Sequence, residues 1–311
     1  MVNKVIVTGG AGFVGSNLVR LLLDKGIQVA VLDSFIRGRR EYLADLDVEI
    51  IEVDIRDEAA LAPAFTGFSH VIHLAALGSV VESVSDPHTN FDINVRGTFN
   101  VLNAAVKAGV EKLVFSSTGG ALIGNATPPV NEVSLPRPIS PYGAGKLCCE
   151  AYCHAFAKSY DLTTVCTRFA NVYGPYSGHK TGVINQFLKR ITEGEALQIY
   201  GDGSSSRDYI HVADLCDGIY AALAHTSGHS DIFHLASGRE TSLRELADIM
   251  RNNAGRPDHP IEFLEARVGE VDRNFASYDY AAQVLGFSPK IQLETGLDET
   301  CNWLLQHQGA F

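Results

Sequence analysis

Apolar runs recur along the chain at 4–8, 28–33, 48–53, 70–75, 111–116 and 162–168. Between them, apolar positions mostly fall at helical spacing. That alternation predicts a parallel sheet with helices on both faces, a doubly wound α/β architecture. The stretch 91–102 has a helical period that stops near Gly109, and the strand Lys112-Leu113-Val114-Phe115 follows at once. After Arg168 the regularity fades into the Gly/Pro-bearing stretch 172–180, and later elements are short and mixed. A smaller mixed α/β C-terminal domain is expected to begin there. The buried-looking run 232–236 predicts that the chain returns to the main sheet around 213–238. The expected division is therefore 1–170 for the first domain, with 171–212 and 239–311 forming the second.

Chemistry enters where the first strand becomes the first helix. Thr8-Gly9-Gly10-Ala11-Gly12-Phe13-Val14-Gly15 follows Val5-Ile6-Val7 and precedes an apolar helical stretch. In that context Gly9 permits a tight turn, Gly12 lets a diphosphate approach the main chain, and Gly15 lets the helix lie close on the strand. A second strand ends in Asp33, 24 residues beyond Gly9, where an acid can accept from the free ribose hydroxyls of an adenosine. The pattern predicts a Rossmann-type dinucleotide site and NAD rather than NADP. Arg37, Arg39 and Arg40 lean mildly the other way, towards a 2′-phosphate, unless they are simply a solvated basic loop.

A second constellation lies downstream. The strand beginning at Lys112 runs into Ser116-Ser117-Thr118, and Tyr142-Gly143-Ala144-Gly145-Lys146 heads an apparent helix reaching Tyr160. Tyr142 and Lys146, four apart, share a helix face. Two unit charges about 4 Å apart, at an effective dielectric near 20, attract by about 4 kcal/mol. That is enough to bring a phenol from its usual pKa of about 10 towards neutrality, where it can act as a base. Thr118 can exchange a hydrogen bond with the same substrate hydroxyl.

Composition narrows the classes. The 311 residues are 46% hydrophobic and 20% charged, enough to bury a full core. The formal charge of −11, without a large Lys/Arg cluster, argues against a nucleic-acid partner. Met1-Val2-Asn3-Lys4 leads straight into an apolar strand, and no apolar run approaches the ~20 residues that span a bilayer. A cytoplasmic protein with no membrane partner is expected. The six cysteines have neither CxxC spacing nor paired histidines, so reduced thiols and no metal are expected. His70, His73 and His211 flank strands and read as structural.

Taken in order, these motifs resemble the extended short-chain dehydrogenase/reductases, in the NAD-dependent nucleotide-sugar epimerase/dehydratase branch, closest to UDP-sugar 4-epimerases. The resemblance covers nearly the whole chain. It includes Asp54-Ile55, His73-Leu74-Ala75-Ala76, Asn94-Val95-Arg96-Gly97-Thr98, the segment from Arg168 to Pro175, and Arg207-Asp208-Tyr209-Ile210-His211-Val212. It implies catalysis by Thr118, Tyr142 and Lys146. It implies cofactor contacts from Gly9, Gly12, Phe13, Val14, Gly15, Asp33, Ser34, Arg37, Asp54, Ile55, Leu74, Ala75, Ala76, Asn94, Ser116, Tyr142, Lys146 and Phe169. Asn171, Arg207 and Arg267 match positions that hold the nucleotide diphosphate. Val183, Gln198 and Tyr200 fall where uridine contacts lie, so the implied carrier is UDP. Ser79, Thr118 and Tyr142 would meet the sugar, and Asn274 stands where residue size gates a bulky C2 substituent. The resemblance also implies a homodimer paired through helices 91–108 and 147–160.

Dehydratases and decarboxylases of this branch carry an acid just after the strand-end hydroxyl, whereas this chain has Gly119-Gly120-Ala121. Glycine moves no proton, so the simpler outcome is expected: oxidation at the sugar's C4, turnover of a transient 4-keto sugar, and return of hydride to its other face. The alternatives are an NAD(P)-dependent nucleotide-sugar reductase of the same fold and a non-catalytic NAD-binding scaffold. Ile123 and Gly78 depart from better-known members and bear on sugar identity, which the expectation leaves among UDP-hexoses, UDP-N-acetylhexosamines and UDP-uronates. Lys180, in the loop 178–182, could meet a C6 carboxylate or lie in solvent.

Overall fold

A computed structural model of the chain describes residues 4–226, 228–266 and 272–307. The first strand, β1 (Lys4–Thr8), passes through α1 (Phe13–Asp24) to β2 (Gln28–Asp33), then to β3 (Glu49–Glu52), α2 (Glu58–Ala64) and β4 (His70–His73). Three helical pieces follow: α3 (Val80–Ser85), α4 (Pro87–Phe91) and α5 (Gly97–Lys107), the last two joined by a π-helical turn over Asp92–Arg96. The single helix expected from residue 91 is present, with that π-helical turn inside an otherwise continuous helical run. β5 (Lys112–Thr118), α6 (Gly120–Ile123), α7 (Pro141–Ser159) and β6 (Thr163–Phe169) complete the first half. β4 stops at His73, short of the expected 75, although the Leu74 N–H still reaches the Thr8 carbonyl of β1 at 3.0 Å.

Beyond β6 come β7 (Asn171–Tyr173), α8 (Val183–Glu193), β8 (Leu197–Tyr200), β9 (Ser206–Arg207) and β10 (Tyr209–His211). Then α9 (Val212–Ala224) and β11 (Ser230–Leu235) return to the main sheet, with β11 pairing parallel to β6. The chain ends in β12 (Thr241–Ser242), α10 (Leu243–Asn253), β13 (Ile261–Leu264), β14 (Arg273–Asn274), α11 (Asp279–Leu285) and α12 (Leu293–Gln306).

The main sheet has seven parallel strands in the order β11-β6-β5-β4-β1-β2-β3. Both faces are buried, so alternate residues of one strand serve opposite cores. Val5 and Val7 join Leu18, Leu22, Leu215 and Ile219 on the α1/α9 face, while Ile6 joins Leu61, Leu102 and Phe156 on the other. A third core, with Tyr173, Phe187, Ile199, Met250 and Leu297, fills the smaller region. Ala281 and Phe287, at and just beyond α11, pack into the α1/α9 core, so the span 239–311 is shared between the two regions. Strand order reverses between β1 and β4, and a crevice opens at their carboxyl ends, where doubly wound sheets bind ligands. No helix among the described residues is long and apolar enough to cross a membrane.

Candidate active site

At the mouth of this crevice the glycine turn is shaped by close approach. Gly9 has φ +71°, and a Cβ there would sit 2.7 Å from the Ala75 nitrogen. A Cβ on Gly15 would fall 2.2 Å from the Gly9 carbonyl oxygen, so the tight contact is with the turn, where the sequence suggested the strand. A Cβ on Gly12 meets only the Gly9 oxygen, at 3.2 Å, which leaves its other side open. No side chain caps the first turn of α1. Uncapped N–H groups at a helix head beside an open glycine fit the diphosphate of NAD, with Phe13 and Val14 as the first main-chain donors.

On the adenosine side, Asp33 is buried, accepting from the Ala11 N–H at 3.0 Å and the Phe35 N–H at 2.8 Å. Burial pushes its carboxyl up, against those hydrogen bonds. Ser34, half-buried, follows it. The basic loop is electrically balanced: Arg37 pairs with Glu82 at 2.9 Å, Arg40 with Glu52, and Arg39 lies 3.8 Å from Glu41. Each arginine that leaned towards a 2′-phosphate thus has a carboxylate within 3.8 Å. The Asp54 carboxylate is bonded to Arg56, which holds it below the usual carboxylate range, and Ile55 is buried against Gly97. Leu74, Ala75 and Ala76 form the half-buried loop after β4. Asn94, expected to touch the cofactor, bonds Leu77 on both sides, accepting its N–H at 2.8 Å and donating to its C=O at 3.0 Å. It shapes the loop that would meet the cofactor.

The strand-end and helix residues come together as expected. Ser140 caps α7 by accepting the Gly143 N–H at 3.2 Å, and Pro141 opens the helix, so Tyr142 and Lys146 occupy its first two turns. The Lys146 ammonium donates to the Ser116 carbonyl at 2.7 Å and lies 5.9 Å from the Tyr142 ring centre. The Ser116 hydroxyl donates to the His73 carbonyl. Phe169, at the end of β6, accepts the Gly119 N–H at 3.0 Å through its own carbonyl.

One expectation is corrected here. Lys146 was to bring the phenol towards neutrality, yet burial pushes Tyr142 up to about 12, with the Thr118 hydroxyl pulling the other way. Burial also brings Lys146 down to about 8. The enclosure that puts the two groups together withdraws water from both charged forms, and desolvation is the largest cause of each shift.

Sequence reasoning missed the group beneath. Glu150, one turn beyond Lys146, forms a buried ion pair with Arg168 at 2.8 Å and accepts the Ser117 hydroxyl at 2.6 Å. His73, bridging Thr8 at 2.6 Å and Thr98 at 2.9 Å, is held neutral by burial, its pKa down to about 3.

The residues expected at the sugar nucleotide are placed less uniformly. Asn274 pairs in register with Arg207, and its amide lies against Gly120, where an added Cβ would be 2.6 Å from Nδ2. This brings the Asn274 amide to the turn that follows β5. The Arg207 guanidinium donates to the Ser206 carbonyl at 2.8 Å and the Asp272 carbonyl at 3.4 Å. Asn171 donates to the Asp208 carbonyl at 3.1 Å, and Ser79 caps α3 by accepting the Glu82 N–H at 3.1 Å. Val183 heads α8, and Tyr200 is half-buried at the end of β8. Gln198, expected at the uridine, accepts from Arg190 at 2.6 Å and donates to Glu262 at 3.1 Å, so its amide is occupied within the protein. Arg267 lies outside the described residues.

Residues 5–236 match the NAD dependent epimerase/dehydratase family. A UDP-glucose 4-epimerase of Mycolicibacterium smegmatis is 38% identical over 308 residues, covering 96% of this chain and 97% of its own. The structure of a UDP-glucose 4-epimerase from Thermotoga maritima with UDP-glucose superposes with a TM-score of 0.93 at 35% identity, over 98% of this chain and 99% of that one. A UDP-N-acetylglucosamine 4-epimerase from Methanobrevibacter ruminantium, in complex with UDP-N-acetylmuramic acid, does so with a TM-score of 0.92 at 31% identity, over 98% of each chain.

Proposed function

The chain belongs to the NAD dependent epimerase/dehydratase family, and we propose that within it the protein is an NAD-dependent UDP-sugar 4-epimerase working through a transient 4-keto sugar. The observation that carries this reading is the convergence of Thr118, Tyr142 and the Lys146 ammonium at a strand end followed by Gly119 and Gly120, with no acid at that turn.

When bound, NAD supplies the oxidant that takes hydrogen from the sugar's C4 and later returns it. The main chain at Gly12, Phe13 and Val14 would hold its diphosphate and Asp33 its adenosine ribose. Tyr142 accepts the proton of the C4 hydroxyl and gives it back, while Thr118 orients that hydroxyl. Lys146, tied to the Ser116 carbonyl, supplies positive charge beneath the ring as the phenol ionises. Glycines after Thr118 offer no second acid or base for elimination, so the keto sugar can only be reduced again. Arg207 and Asn171 are assigned to the UDP diphosphate and Asn274 to the neighbourhood of C2.

The test is to incubate purified protein with UDP-hexoses, UDP-N-acetylhexosamines and UDP-uronates and resolve the products by chromatography. A C4 epimer of at least one substrate, formed without added reductant, is expected. Product only in the presence of NADPH would replace the epimerase with a reductase.

Two coarser assignments complete the reading. We place the protein in the cytoplasm, in keeping with six unbridged cysteines. We also propose a homodimer through the α4, α5 and α7 faces, where Phe91, Tyr152 and Tyr160 are exposed and Phe99 stands edge-on to Tyr152. Light scattering of wild type and Tyr152→Glu tests this, the variant being expected to run as a monomer; a wild-type monomer would exclude the dimer.

A further inference from the structure

Asp208 stands between the short strands β9 and β10, and its carboxylate is buried. Oδ1 accepts the Ser237 N–H and the Ser237 hydroxyl, each at 2.8 Å, and Oδ2 accepts the Gly238 N–H at 2.9 Å. Burial pushes the carboxyl up, while these contacts and the Ala276 N–H favour its charged form. Ser237 and Gly238 follow the end of β11, the edge strand of the main sheet, and Ala276 lies just beyond β14. The main chain of Asp208 binds a further segment. Its carbonyl accepts the Asn171 N–H at 2.9 Å and the Asn171 amide at 3.1 Å.

The segments joined here carry the side chains assigned to the sugar nucleotide. β10 pairs with β7, which begins at Asn171, while β9 pairs with β14 and sets Arg207 opposite Asn274. Two small sheets therefore meet at Asp208. The grip on Ser237 and Gly238 ties that junction to the end of β11, where Leu235 pairs in register with Phe169, the residue expected at the cofactor. A carboxylate suits the position because both oxygens only accept. An amide would keep one acceptor and turn its own N–H groups towards a donor.

We propose that Asp208 is a positioning residue for the sugar nucleotide, holding Arg207 and Asn171 at the spacing that receives the diphosphate and fixing that pair relative to the cofactor-bearing sheet. The inference rests on the epimerase reading, which assigns those two side chains to UDP. Asp208 acts through its neighbours, since its own oxygens are occupied by Ser237 and Gly238.

The experiment compares Asp208→Ala, Asp208→Asn and Ser237→Ala with wild type in the full chain. Calorimetry reads UDP binding to NAD-loaded protein and NAD binding to protein freed of nucleotide, well below each variant's Tm. UDP affinity is expected to fall by about tenfold or more in Asp208→Ala and by less in Asp208→Asn, with NAD affinity within about twofold of wild type. KM for the UDP-sugar should rise by more than kcat falls. If Asp208→Ala does not fold, the two milder variants decide, each removing part of the grip and each expected to weaken UDP by about threefold or more. UDP affinity within about twofold of wild type in every folded variant overturns the proposal. So does a parallel loss of UDP and NAD affinity, which is the mark of general loosening. Interconversion by the wild type is scored separately: UDP binding weakened in the variants of a chain that epimerises no UDP-sugar keeps the role of Asp208 and discards the epimerase reading. Epimerisation by the wild type with UDP affinity unmoved in the variants does the reverse.

Discussion

The Glu150 carboxylate grips Arg168 through two buried contacts, 2.9 Å to Nε and 2.8 Å to Nη2. Glu150 also accepts the Ser117 hydroxyl, and Ser117 lies between Ser116, the Lys146 partner, and Thr118. One carboxylate thus locks α7, β5 and β6 together one residue from three candidate site positions. Glu150→Ala would leave a buried guanidinium unpaired and is expected to cost about 3–5 kcal/mol. The double change Glu150→Leu with Arg168→Met should cost less than either single change, because no charge is stranded. Urea unfolding of the set checks this, and a single-variant cost below about 1 kcal/mol would show that the pair does not carry the strand-to-helix registry.

Tyr142→Phe removes one oxygen from a ring that is otherwise held by its helix. Interconversion is expected to fall by at least about a hundredfold, the scale of a lost general base, while affinities for NAD and UDP stay close to wild type. Turnover in the variant equal to wild type would refute the base assignment. Thr118→Val should slow the reaction less, since Thr118 orients the hydroxyl and does not hold the transferred proton.

Burial sets the order in which the two charged partners titrate. The phenol stands up at about 12 and the ammonium down at about 8, so raising pH neutralises Lys146 well before it ionises Tyr142. In protein free of nucleotide, tyrosinate absorbance of wild type minus Tyr142→Phe is therefore expected to stay flat through pH 9. On loading NAD, a nearby positive ring would favour the phenolate and move the step downwards. A step below pH 9 without nucleotide would contradict the dominance of desolvation.

These outcomes mark the boundary of what a linear sequence reveals. The glycine turn, Asp33 at the end of β2, and the Tyr142/Lys146 spacing are local patterns, and each fixes its geometry within a few residues. The Glu150–Arg168–Ser117 cluster, the Asn94 grip on Leu77 and the Gln198 contacts join segments brought together by sheet order, which periodicity does not encode. The π-helical turn at Asp92–Arg96 escapes notice because it is a single wider turn inside a run that stays helical on both sides. The Tyr142 correction has the same origin: spacing tells how near a charge lies, whereas desolvation depends on everything packed around it.

Asn274 against Gly120 offers the most direct handle on sugar choice. The amide fills the space where a Cβ on Gly120 would stand, so the wall beside Thr118 is built from a small residue facing a smaller one. Asn274→Tyr would push a ring into that wall. A bulkier side chain there is expected to exclude an N-acetyl group at C2 while leaving a hydroxyl tolerated, lowering kcat/KM for UDP-N-acetylhexosamines by about tenfold or more relative to UDP-hexoses. Gly120→Ala should harm both substrates alike, because its methyl would displace Asn274 and the end of β5 together. Parallel kinetics on the two sugar classes decide the matter: an unchanged ratio in Asn274→Tyr would place the C2 substituent elsewhere in the crevice.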